Sequence, residues 1–193
     1  MRKIFIVATL LLIVACNSAK KGTSGSSAKY TVENLGRMSA EDIDKNYPDA
    51  NIEEGADIFE EGTDERPFTI LYPGTENELH ITWQDKNRKD IYDLRYSSNG
   101  KWNSETGVDI GTTYAELNEM NGKEIAFYGF GWDYSGAVDW NGGKLEKSGL
   151  RVFLKAGNKP DNKFYGDKII KASPEEIQAM ELKVGSIMIN YAM

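Results

Sequence analysis

Between Gly111 and Gly143 the chain reads GTTYAELNEMNGKEIAFYGFGWDYSGAVDWNGG, a short helix signal that runs straight into an aromatic, glycine-studded hairpin signal. Thr113-Tyr114-Ala115-Glu116 fits a capping box, in which the threonine hydroxyl and the glutamate carboxylate satisfy backbone donors that the first helical turn leaves orphaned. Leu117 and Met120 supply an apolar face, and Asn121-Gly122 an end that accepts positive φ. Helix must give way to sheet within a few residues, which points to short helices lying on antiparallel strands.

An earlier stretch repeats the plan. Ser39 heads a helix with Glu41 and Asp42 in the first turn, facing the positive helix end, and Pro48 stops it after Ile43 and Tyr47 have shared one face. Phe68 to Tyr72 then reads as a short strand and Pro73-Gly74-Thr75 as a turn. Leu79, Ile81 and Trp83 alternate with His80, Thr82 and Gln84, and Tyr92, Leu94 and Tyr96 alternate with Asp93 and Arg95. This is the period of half-buried strands. Asn99-Gly100 reads as a hairpin-type turn leading to Trp102, so the first unit is a helix followed by about four strands. In the second unit Leu150, Val152 and Leu154 answer the first alternating strand, and Ile187, Ile189 and Tyr191 the second. Between them stand a loop over 157–166 and an added helix opened by Ser173-Pro174-Glu175-Glu176, with serine at the cap and proline at the first position. The expected fold is α+β: two tandem helix-plus-antiparallel-sheet units, with short helices packed on one side of the sheet. The units cover about 30–104 and about 105–193 of a globular domain spanning 30–193.

A formal net charge of −7 repels phosphate backbones, which argues against nucleic-acid binding. The single cysteine rules out a disulfide within the chain, so stability must come from packing. Hydrophobic residues at 40% of 193 are enough for one medium core. From Glu41 to Glu65 acids outnumber bases, with Lys45 the only cation. The stretch lacks the alternating Asp/Asn, central glycine and closing glutamate of a calcium loop, and reads as a solvated acidic face.

Met1 to Ala15, MRKIFIVATLLLIVA, has two cations, an apolar run too short to span a bilayer and small residues at its end, the pattern of a secretory signal peptide. Ile13-Val14-Ala15-Cys16 resembles the bacterial lipobox, although Ile replaces the commoner Leu at its first position. The resemblance implies cleavage before Cys16 and acylation of its thiol, palmitate included, with two or three chains giving a durable membrane anchor. Asn17 rather than Asp follows, which by the same resemblance favours the outer membrane. Residues 16–29 then form the lipidated cysteine and a polar, flexible tether. The repeated plan of glycine, capped helix and antiparallel strands, over Gly36 to about Trp102 and Gly111 to the C-terminus, resembles the β-lactamase inhibitory protein. At one repeat it also resembles SmpA/OmlA-type outer-membrane lipoproteins. The inhibitor's repeats carry disulfides that a chain with one cysteine cannot form, so no binding residue is transferred. The wording GTTYAELNEMNGK and FYGFGWDYSG is similar to uncharacterised envelope lipoproteins of Bacteroidota.

If 127–134 is extended, Tyr128, Phe130, Trp132 and Tyr134 lie on one face and Phe127, Gly129, Gly131 and Asp133 on the other. The ladder then either packs on the helix of its unit or is exposed as a binding surface. Asn141-Gly142 makes the next turn tight and holds Trp140 near the loop end. The candidate surface comprises Tyr128, Phe130, Trp132, Asp133, Tyr134, Asp139, Trp140 and Asn141. It suits a non-catalytic, protein-binding module of the cell envelope. The alternative is a carbohydrate-binding module using the same rings, with Asp133, Asp139 and Asn141 bonding sugar hydroxyls. A hydrolase would use Asp133 and Asp139, which share strand parity. His80 is the only histidine, so a zinc site of several histidines is excluded, and neither a G-x-S-x-G elbow nor a Walker-type phosphate loop occurs. No cofactor or metal is expected. The expected partners are a membrane, through acylated Cys16, and an envelope protein or glycan.

Overall fold

The computed structural model describes residues 28–59 and 64–191. The signal peptide, Cys16 and the tether up to residue 27 lie outside the described residues. Among the described residues there are four short α-helices: α1 (Val32–Leu35), α2 (Ala40–Asn46), α3 (Tyr114–Asn121) and α4 (Pro174–Met180). The last three each begin with a complete capping box, from Ser39 with Asp42, Thr113 with Glu116 and Ser173 with Glu176. Helix α3 ends on Gly122 at φ 67°, where a side chain would be strained.

The strands are β1 (Glu53–Phe59), β2 (Asp64–Leu71), β3 (Leu79–Trp83), β4 (Ile91–Tyr96), β5 (Ala126–Phe127), β6 (Val138–Asp139), β7 (Leu150–Lys155) and β8 (Lys183–Asn190). Six form one antiparallel sheet in the order β1-β2-β3-β4-β8-β7, and β5 pairs with β6. The β5–β6 hairpin leans on the outer edge of β7, where Ala137 bridges to Phe153 and the Leu154 N–H donates to the Gly136 carbonyl at 2.8 Å. Across the molecule the strands therefore run β1-β2-β3-β4 and then β8-β7-β6-β5. The fold is α+β, and its two units meet tail to tail at the β4·β8 seam. Helix α4 is the insertion between β7 and β8.

Alternation sorts the two faces of the sheet. Leu79, Ile81, Leu94, Tyr96, Leu150, Val152, Leu154, Ile187 and Ile189 are buried in a core shared with Ile43 of α2 and Leu117 of α3. Their neighbours His80, Arg95 and Arg151 are exposed on the opposite, open face. Fully burying one such aliphatic side chain is worth about 1.5–3 kcal/mol, so the set dominates stability. A second aromatic group fills the end of the first unit: the Tyr30, Tyr47 and Tyr72 rings surround Trp102 with centroids 5.3, 5.6 and 6.4 Å from it.

One expectation about the first unit is extended and one is corrected. The acidic stretch is solvated as expected, with Glu41, Asp44, Asp49, Glu53, Glu54 and Asp57 exposed, and it also contains β1 and the buried Tyr47 and Ala50. As an edge strand, β1 buries too little of either face for alternation to mark it, and acids on an edge deter pairing with other chains. The fourth strand is thus β1, and within the first unit none follows Asn99-Gly100. Gly100 is there because a Cβ would stand 2.2 Å from the Glu76 carbonyl oxygen. That close approach carries Trp102 inward, where its indole N–H donates to the Asn77 carbonyl at 2.7 Å.

Candidate functional site: a cleft between the hairpin tip and the open sheet face

The aromatic stretch is extended only at its base. Beyond Phe127 the chain turns away from β5, and Gly131 adopts φ 83°. The N–H of Gly131 donates to the Ser135 hydroxyl at 3.1 Å, and the N–H of Ser135 to the Trp132 carbonyl at 2.9 Å. This tight tip breaks the expected one-faced ladder. Phe130 turns inward and is only 8% exposed, whereas Trp132 and Tyr134 are 64% and 57% exposed. Tyr128 is half-buried, with its ring 5.8 Å from that of Tyr134 and tilted by 39°. The glycines serve close backbone approach: a Cβ on Gly129 would meet the Gly166 carbonyl oxygen at 2.4 Å, and one on Gly136 the Leu154 carbonyl oxygen at 2.1 Å.

Trp140 does not stay near the loop end. It is 6% exposed, and its indole N–H donates to the Leu150 carbonyl at 3.1 Å, which ties the hairpin to β7. Asn141 (φ 54°) and Gly142 (φ 70°) do form the tight turn, with the Gly143 N–H bonded to the Trp140 carbonyl at 2.9 Å. Asp139 accepts from the Asn141 N–H at 2.7 Å, and the Asn141 carboxamide donates to the Glu124 carbonyl at 3.1 Å. Asp139, Trp140 and Asn141 therefore build the foot of the hairpin, while Trp132, Asp133 and Tyr134 occupy its tip.

Under that tip lies a cleft of about 480 Å³. Asp133, Tyr134, Ser135 and Ala137 form one wall, and Arg95, Arg151, Phe153, Ser186 and Met188 come from the open face of β4, β7 and β8. Register explains the gathering: Met188 lies opposite Arg95 on one side and Arg151 on the other, and Phe153 opposite Ser186. The Arg95 guanidinium stands 5.8 Å from the centre of the Phe153 ring, within cation–π range. Beside them on the same face is Asp93, buried, its carboxylate accepting from the Thr82 hydroxyl at 3.1 Å. Burial raises the Asp93 pKa above its ordinary value, with that hydrogen bond and the charges of Arg95, Arg151 and Arg66 working the other way. Asp139 does not line this cleft, so the two carboxylates of the hydrolase expectation do not face each other across it.

A larger groove, about 680 Å³, runs between α3 and α4 past Tyr114, Ala115, Pro174, Ile177 and Leu182. The exposed Tyr134 and the two arginines lie at the smaller cleft and not in this groove, which makes the smaller cleft the better candidate. Arg95, Arg151, Phe153 and Met188 are absent from the sequence-based surface. Alternation marks Arg95 and Arg151 as solvent-facing, but only the order β4-β8-β7 makes them neighbours.

No protein-family model matches the chain, and no curated protein does. Among solved structures it is similar to the crystal structure of the uncharacterized protein yfeY from Escherichia coli, with a TM-score of 0.51 and 15% identity over 80% of this chain and 94% of that one. The likeness is one of fold. It spans nearly all of the other chain.

Proposed function

We propose that this chain is a lipid-anchored protein of the cell envelope whose body binds a protein partner, without catalysis, through the hairpin tip and the open sheet face beneath it. The observation that carries the reading is the exposure of Trp132 and Tyr134 at a tip that overhangs Arg95, Arg151 and Met188. Aromatic residues, arginine and methionine are enriched where proteins bind one another, and the first two dominate the energetics of such contacts. The carbohydrate alternative is less well served, because the Tyr128 and Tyr134 rings are tilted rather than coplanar and offer no flat platform for a sugar ring. The lipid anchor and the outer-membrane location rest on the lipobox-like sequence at Cys16.

The test is cross-linking capture from the native envelope with the full-length protein, beside a Trp132→Ala/Tyr134→Ala variant. A partner identified with wild type and lost with the folded variant is the expected result. Capture that is indifferent to the two rings overturns the assignment of the surface. For the anchor, Cys16→Ser should abolish fatty-acid labelling and release the protein from membranes, and unchanged retention counts against it.

A further inference from the structure

We infer that the cleft takes an acidic, extended segment of the partner, its carboxylates seated on Arg95 and Arg151 and an apolar side chain between them on Phe153 and Met188. This rests on the partner-binding reading above and specifies the chemistry of the occupant.

Charge carries the argument. Arg66 and Arg88 in the first unit are ion-paired, with Asp64 and Glu54. Among the described residues, Arg95 and Arg151 are in no ion pair, and the hydrogen bonds of the fold do not use their guanidinium groups. Both are exposed and both line the same cleft. The carboxylate beside them on the sheet face, Asp93, is buried and already accepts from Thr82, and Asp133 sits on the opposite wall. Two exposed guanidinium groups in no ion pair have donor capacity to spare, which a pair of carboxylates fills. On a chain of net charge −7 they put two positive charges on one face of the sheet, which would steer an acidic partner to one orientation.

Geometry selects the kind of anion. The roots of Arg95 and Arg151 are two strand spacings apart across Met188, about 10 Å, and two carboxylates flanking an apolar residue at i, i+2 and i+4 on one face of an extended chain, about 13 Å apart, fall within reach of these long side chains. The floor between them is a phenyl ring and a thioether, suited to an apolar side chain rather than to sugar hydroxyls. Asp133 on the rim would repel acids at the tip side, so the acidic run belongs on the sheet side.

The test is fluorescence anisotropy of a labelled peptide with a Glu-Ala-Phe-Ala-Glu core, titrated with the full-length protein in detergent. The peptide should bind, a Gln-Ala-Phe-Ala-Gln control about tenfold or more weaker, and Arg95→Gln/Arg151→Gln should lose the same factor with an unchanged melting temperature. Raising salt from about 50 mM to about 500 mM should weaken the acidic peptide and not the control. Equal binding of the two peptides, or by the arginine variant, overturns the inference. So does competition by oligogalacturonate or inorganic phosphate as effective as that by unlabelled peptide. A partner that depends on Trp132 and Tyr134 but is captured equally by the arginine variant would overturn this inference and leave the partner-binding reading standing.

Discussion

The carboxamide of Asn121, wholly buried at the end of α3, donates to the backbone carbonyl of Trp140 at 2.9 Å. It also donates to the Lys123 carbonyl at 3.0 Å and accepts from the Leu145 N–H at 3.1 Å, so one side chain joins the helix end to the foot of the hairpin. Gly143 makes room for it, since a Cβ there would lie 2.2 Å from the carboxamide. Asn121→Leu should cost about 3 kcal/mol in urea denaturation, because it leaves buried carbonyls and an N–H unpaired. Asn121→Asp should cost no less, because both donors disappear and a carboxylate is left facing two carbonyls.

Two tryptophans eight residues apart in sequence should behave in opposite ways. Trp140→Ala empties a buried site and removes the bond to Leu150, for an expected loss of about 3–5 kcal/mol. Trp132→Ala should change stability by less than about 0.5 kcal/mol and abolish partner capture. Equilibrium unfolding of the two variants side by side measures the contrast. Similar losses would mean that Trp132 is not free at the tip.

Gly136 combines φ 71° with a 2.1 Å approach to the Leu154 carbonyl oxygen, so it meets both conditions that exclude a side chain. Gly136→Ala should push the hairpin tip off β7 and lower stability by about 1–3 kcal/mol. Capture of the partner should fall with it. Hydrogen exchange at the Leu154 amide, which bonds the Gly136 carbonyl, reports the opening directly.

Asp93 carries a pH signature. Its pKa in the fold is raised by burial above the ordinary aspartate value of 3.8, so the proton is held more tightly folded than unfolded. The associated stability is present below that ordinary value and is lost as pH rises through the raised one. Asp93→Asn keeps an acceptor for the Thr82 hydroxyl and removes the buried charge. It should therefore be more stable than wild type at neutral pH, with the difference closing below pH about 4. Urea midpoints across that range decide it, and a gap that widens on acidification would contradict the argument.

Much of the architecture was legible because its signals are local. Ser39, Thr113 and Ser173 cap helices where the spacing of hydroxyl and acid says they should, and β3, β4, β7 and β8 fall on the alternating runs. The tandem plan was visible too, though one of its markers misleads. Gly111 is needed for φ 91°, whereas Gly36 has ordinary backbone angles and is glycine because the Tyr191 ring would lie 2.2 Å from a Cβ. The same letter answers different physics at the two places. What could not be read depends on distance in sequence. Parity arguments put Trp132 and Phe130 together because they assume a straight strand, and φ at Gly131 breaks that assumption. Trp140 is buried by Leu150 and Asn121, which belong to other elements, and the cleft exists only because β8 inserts between β4 and β7.

That insertion orders events in time. β8 pairs with β4 on one side and β7 on the other, yet it follows both in the chain, with α3, the hairpin and α4 all lying between it and β4. A chain that emerges N-terminus first therefore carries β1 to β4 with the inner side of β4 unpaired, and then β7 likewise, until β8 arrives to close both gaps. Completion of the sheet and assembly of the Arg95, Met188 and Arg151 row are one and the same step, so no partly made body can present the cleft.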